Sequence, residues 1–394
     1  MIKKIINKEL HFGKHKIAFA AFLWFALAII AVTLELLRGK ENYWNYYIYQ
    51  YFYQHIHSFT NPYIGIINEF DCHYGPTFSL IIAPFTLFTP WLGCFLWCVC
   101  NTWFLYFAIN KLAIKDDAKK LILLISAIEM MTSIHSVQFN GMVTAWLILA
   151  FAYVEENNEK AATFFIVLGT LTKIFGITGL TFFLFSKNKK QFLLWLIIWF
   201  VVLFCLPMLI SSPQFIIDIY GSWLNDVLHK NGVNITLGTG GMQDISFGGI
   251  IRRLLNYQAF SDVYLFVPFI ILYVIPLLKK YNYTNPIFKQ LYLAITLITV
   301  VVLSSSSESP TFVIAVVGCA LWYVLHKKSS LTNTTILLVF IFTSLGTTDL
   351  FPSFIRSHYF IGKSLKALPC VIVWLMILWE LNIKNFIEID KINQ

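Results

Sequence analysis

Charge is what this chain has least of. Asp, Glu, Lys and Arg make up 12% of its 394 residues, where a soluble domain averages about a quarter. That scarcity excludes an ordinary water-soluble globule. A Gly-rich phosphate loop of the P-loop or dinucleotide type is absent, which removes the usual basis for nucleotide use. The strict apolar–polar alternation of a membrane barrel strand is absent too. There is no DxD-type acidic cluster, no linker, no separate soluble domain and no convincing internal repeat. Of the seven cysteines only Cys72 lies outside an apolar run, and none is spaced with histidines as metal ligands are. They read as small apolar packing residues. No metal and no cofactor is expected.

What the chain has instead is apolar surface: 58% hydrophobic residues and a mean hydropathy of +0.70. A bilayer core takes roughly 20 apolar residues per spanning helix, and lipid leaves a backbone amide no partner outside its own helix. Clear spans are expected at 17–37, 91–110, 121–137, 191–211, 261–278, 288–304, 311–325, 332–346 and 367–381, with shorter ones at 141–154, 161–172 and 174–185. The fold class is therefore all-α, a polytopic membrane protein of about twelve helices forming one integral membrane domain over 1–394.

Lys and Arg fix orientation by collecting in cytoplasmic loops. With the basic segment 1–16 inside and the spans alternating, 20 of the 29 Lys and Arg fall on the inner side. This arrangement requires Pro76–Thr89 to be an interfacial or re-entrant helix, and a chain break at Lys173. The +9 net charge is then explained by inner loops facing anionic lipid, so membrane lipids are partners and nucleic acid is not.

Three large loops face outward, 38–76, 212–261 and 347–366, and hold most of the polar chemistry. The first is rich in tyrosine between Tyr43 and Tyr53. These rings suit either an aromatic belt at headgroup depth or an amphipathic helix lining a groove that stacks on sugars. Its carboxylates are Glu41, Glu69 and Asp71, and a general base at a surface cleft is expected among them. His135 and Gln138 share a helical face at spacing i, i+3, and Asn140 follows, a set suited to hydrogen-bonding a polar substrate.

Lys173 interrupts an apolar run. A charge in mid-membrane costs some 2.5–3.5 kcal/mol on insertion scales and marks function by default. An anionic ligand is the expected partner. Arg252 and Arg253 follow the glycine-rich GTGGMQDISFGG and lie on the outer side. Paired guanidiniums there suit phosphate. Glu308, in SSSSESPTF, stands at a break between two late helices.

These elements in this order resemble glycosyltransferase family 87, polyprenyl-phosphate-mannose-dependent membrane transferases with the GT-C fold. The resemblance rests on HYGPTFSLIIAPF at 73–85, HSVQFNG at 135–141, LTKIFG at 171–176, GMQDISFGGIIRR at 241–253 and SESPTFVIAVVG at 307–318. It implies a hexosyltransferase that takes a sugar, mannose in the family's pattern, from a polyprenyl-phosphate donor. The sugar would pass to a lipid-linked or glycan acceptor on the outer face of a bacterial cytoplasmic membrane. It implies a carboxylate base in the first outer loop, with the choice open between Glu41 and Asp71. Lys173, Arg252 and Arg253 would hold the phosphate, with His73, Tyr74, His135, Gln138, Asn140, Gln243 and Glu308 around the substrates. The competing class is a lipid-linked-glycan flippase or secondary transporter, which calls for charges lining a path through the spans.

Overall fold

In the computed structural model, residues 6, 8–12, 15–63, 72–236 and 241–386 are described, and most of them are helical. Each of the twelve expected apolar runs coincides with a helix, from Phe19–Arg38 to Leu368–Ile383. Among the described residues, four helices combine the length and apolarity of a full crossing: Phe19–Arg38, Pro90–Lys111, Lys189–Leu209 and Leu365–Ile383. Six more are apolar but shorter. The winding changes within or between some of these runs. Phe175–Leu184 is a 3-10 helix and Val339–Leu345 a π-helix.

The contacts divide the chain into two compact units, one of Asn7–Ile114 and Met130–Lys230, the other of Met1–Ile6, Lys115–Glu129 and Asn231–Gln394. In the first unit the Phe19–Arg38 helix is preceded by a small antiparallel hairpin, Glu9–Phe12 paired with His15–Ala18. That hairpin departs from the all-α expectation. Its strands are four residues each, too short for an alternation to be read. Phe78–Thr86 has nine residues and Pro84 within it. At 1.5 Å rise per residue it is ~14 Å long, about half a bilayer core.

Local chemistry sets the helix boundaries. Asn158 and Asn188 cap their helices by accepting from Ala161 N and Gln191 N. In the second unit Asn285 and Ser329 accept from Phe288 N and Thr332 N. Each cap satisfies an amide donor that the first helical turn leaves open. The Glu159–Lys173 helix stops at Lys173, because Ile174 adopts a left-handed conformation at φ 46°.

The second unit is built around Pro286–Val302 and Phe312–Leu325, almost every residue of which is buried. Beside them lies a fully buried ion pair, Lys366 Nζ to Glu129 Oε1 at 2.9 Å, with neither side chain exposed. Lys366 also donates to Ser309 Oγ at 2.9 Å and Thr347 Oγ1 at 3.0 Å. The ammonium therefore joins Glu129 to the segments around Ser309 and Thr347. Removing one member of such a pair strands a buried charge, at a cost of about 3–5 kcal/mol. Lys366→Met is expected to lower stability by that amount, read as a fall in melting temperature in detergent. Adding Glu129→Leu should recover much of the loss, since no unpaired charge then remains.

Candidate polar site at the helix ends

In the first unit the polar residues converge on Lys173. Its Nζ donates to Asn140 Oδ1 at 2.6 Å. The same ammonium lies 5.3 Å from the ring centre of Tyr74, 5.5 Å from Phe139 and 5.4 Å from Phe175, within cation–π range. Lys173 is half-buried and Asn140 fully buried. An ammonium only donates, so the Asn140 oxygen must face it, and Asn140 Nδ2 donates to Gln138 Oε1 at 2.7 Å. Lys173 ends its helix, where the helix dipole favours a cation.

The HYGP segment is stitched to that same helix end. Gly75 N donates to Thr172 O at 2.8 Å, and Tyr63 OH to Tyr74 O at 2.5 Å. A Cβ on Gly75 would stand 2.0 Å from Leu171 O, so only glycine allows the approach that sets Tyr74 beside Lys173. His73 Nδ1 meets Asp226 Oδ2 at 2.7 Å, and Trp223 Nε1 donates to His73 O at 3.0 Å. Trp223 and Asp226 are three residues apart on one helix face, and together they grip one residue.

His135 ends the Asp116–His135 helix, and its Nδ1 lies 2.6 Å from Glu35 Oε1. Arg38 Nη1 donates to the same oxygen at 2.9 Å. Glu35 is not among the carboxylates expected from the sequence, which all lie beyond the first helix. The signal was there: a carboxylate inside an apolar helix. Glu41 is exposed on the 3-10 turn Lys40–Tyr43. Asp71, with Glu69, lies outside the described residues.

A second cluster lies within the second unit. The segment after Gly241 runs beside 305–307, with Asp244 N donating to Ser305 O at 2.8 Å and Ile245 N to Ser307 O at 2.9 Å. This brings Gln243 Nε2 within 3.3 Å of Glu308 Oε1. The two arginines have different surroundings. Arg252 is fully buried and bonds to Asp244 at 2.7 and 2.9 Å, to Asp262 at 2.9 Å and to Phe260 O at 3.0 Å. A Cβ on Gly248 would fall 2.0 Å from Asp262 Oδ1, so the glycine makes room for this ion pair. Burial alone disfavours the Arg252 charge, but the bonds and charges of Asp244 and Asp262 outweigh it and raise its pKa.

Arg253 is 1% exposed and, among the described residues, has only a 3.4 Å bond from Nη1 to Gly241 O. Its Nη2 meets no hydrogen-bond partner among the described residues. Burial and the neighbouring Arg252 lower its pKa, against the pull of Asp244. Such a guanidinium is short of an anion. Among the described residues no group of three His, Cys, Asp or Glu side chains is gathered for a metal ion.

Apolar helices with polar side chains collected at their ends fit a helical membrane protein. The model of glycosyltransferase family 87 matches residues 73–348, from the HYGP segment through both arginines and Glu308, and the chain belongs to that family. It is therefore a membrane enzyme that transfers a sugar, which decides against the transporter reading. No curated protein matches the chain.

The two arginines should separate experimentally. Arg252→Met leaves Asp244 and Asp262 without their cation and is expected to cost about 3–5 kcal/mol. Arg253→Met removes one long hydrogen bond and should cost well under half of that. Denaturant unfolding in detergent reads both. Equal losses would make Arg253 as structural as Arg252.

Proposed function

We propose that this enzyme moves a hexose, mannose by the resemblance, from a polyprenyl-phosphate donor to a hydroxyl of a lipid-linked or glycan acceptor. The transfer takes place on the extracytoplasmic face of a bacterial cytoplasmic membrane, in a GT-C architecture of about twelve spans with both termini inside. The Lys and Arg bias towards one side of the chain supports that orientation.

The observation that carries the reading is the Lys173 ammonium, held by Asn140 Oδ1 at 2.6 Å among the rings of Tyr74, Phe139 and Phe175. Aromatic faces and amides are what a sugar ring offers partners to, and the cation suits the phosphate beside it. Breaking the bond between the anomeric carbon and the phosphate oxygen leaves negative charge on the departing lipid phosphate. A cation placed beforehand stabilises that charge in the transition state. Within its own unit, Arg253, with an open donor among the described residues, is a phosphate-binding candidate by the resemblance. Arg252 serves as the brace that holds its neighbourhood. His73 and Asp226 fix the Tyr74 segment, and Gln243 with Glu308 supply polar contacts. The acceptor hydroxyl must also lose its proton to a base. Glu41 and Asp71 are the first-loop candidates.

The test is transfer by purified protein from polyprenyl-phosphate mannose to a panel of hydroxyl acceptors. Lys173→Ala removes a charge-assisted contact worth about 1.5–3 kcal/mol, so donor turnover should fall roughly ten- to a hundredfold. Unchanged donor kinetics in this variant would reject the role of Lys173.

A further inference from the structure

Positive charge and an apolar groove meet within the second unit. A groove of about 400 Å³ runs between the Asp116–His135 helix and the Ser330–Leu338 helix with its continuation. Leu121 and Leu124 line one wall, Ile336 and Phe340 the other, and Tyr323 and Asn333 bring a hydroxyl and an amide to it. From Asn333 to Phe340 the wall extends two helical turns, ~10 Å. Tyr323 OH donates to Asn333 Oδ1 at 2.8 Å, so the amide nitrogen of Asn333 is the group left to donate.

Lys328 lies against this polar part of the groove. Its Nζ is 3.4 Å from the centre of the Tyr323 ring and donates to Tyr323 O at 2.8 Å. The neighbouring acids are engaged elsewhere. Asp116 pairs with Lys119 at 3.1 Å and Asp117 with Lys120 at 3.7 Å. Glu380 is held by His326 at 2.9 Å and by Lys384 at 2.5 Å. Among the described residues Lys328 has no carboxylate partner, and desolvation lowers its pKa with no opposing charge to offset it. The groove is also distinct from the cluster at Glu308. Glu308 stands just before the Phe312–Leu325 helix and Tyr323 near its other end, ~20 Å apart along the axis at 1.5 Å per residue.

We propose that this groove seats an acyl chain of an anionic phospholipid, with Lys328 holding the phosphate and Asn333 Nδ2 donating to a headgroup oxygen. The cation is short of an anion, and the apolar walls beside it suit a chain rather than water. A basic pocket between membrane helices on the cytoplasmic side is where such headgroups bind. The inference takes from the proposed function only the orientation that puts 327–331 inside, which makes the lipid one of the inner leaflet.

Native mass spectrometry of the full chain in detergent, titrated with dioleoyl phosphatidylglycerol or dioleoyl phosphatidylcholine, tests this. The wild type should prefer phosphatidylglycerol, since the choline group of the other lipid sets a cation beside Lys328. Lys328→Gln keeps a donor for Tyr323 O and removes the charge. It should weaken phosphatidylglycerol binding about tenfold, as for a lost charge-assisted contact, and leave phosphatidylcholine unaffected. Leu124→Trp fills the groove and should weaken both lipids. Unchanged melts without added lipid confirm that the variants are folded. Glycerol phosphate, which has the charge without the chain, should not compete, and displacement by it would show a free-anion site and overturn the acyl-chain seat. Equal binding of the two lipids by the wild type overturns the proposal, as does unchanged phosphatidylglycerol affinity in Lys328→Gln. A reporter that places 327–331 outside refutes the orientation and changes the leaflet, while the lipid comparison still decides the site.

Discussion

Lys173 Nζ donates to Asn140 Oδ1 at 2.6 Å, and the local structure of the first unit is arranged to make that contact. The helix must end at Lys173, which Ile174 achieves by turning left-handed. The Asn140 side chain must present its oxygen, which the bond to Gln138 secures. Tyr74 must reach the ammonium, which the tight approach of Gly75 to Leu171 allows. Underlying all three is one constraint: an ionised group taken out of water needs partners, or it is expelled or neutralised.

The other buried charges show two ways of meeting it. Lys366 with Glu129, and Arg252 with Asp244 and Asp262, are closed sets in which every charge faces its opposite. Such sets hold segments together and leave little to offer a ligand. Arg253 is an open set, with one side held by the protein and a further nitrogen without a bond among the described residues. Chemistry that handles a phosphate calls for groups of the second kind, oriented in advance and supported by groups of the first.

The helical course of the chain was legible because apolar runs report burial or lipid contact directly. The boundaries are set in the structure by caps such as Asn158, Asn188 and Ser329, which the apolar runs alone did not locate. The hairpin before Phe19 was not legible, since its strands are too short to show a period. Nor were the 3-10 and π stretches, because hydropathy does not distinguish how a helix is wound. At the site, Lys173 stood out because a charge in an apolar run is costly. Its partner Asn140, and Gln138 that Asn140 bonds, were legible as a polar helix end. Glu35 is separated from His135 by 100 positions, and Asp226 from His73 by 153. No local pattern announces a pair made at that distance. The arginine pair looked symmetrical in sequence, and only the geometry of Asp244 and Asp262 separates its members.

The central claim is that the cation fixed by Asn140 receives the donor's phosphate, and equilibrium binding addresses it without any turnover. A non-transferable polyprenyl phosphate should bind the wild-type protein in detergent in a salt-dependent manner, because the contact is ionic. Lys173→Met should weaken that binding by about tenfold or more, as expected for a lost charge-assisted hydrogen bond. Equal affinity in the two proteins, at low and at high salt, would contradict the account.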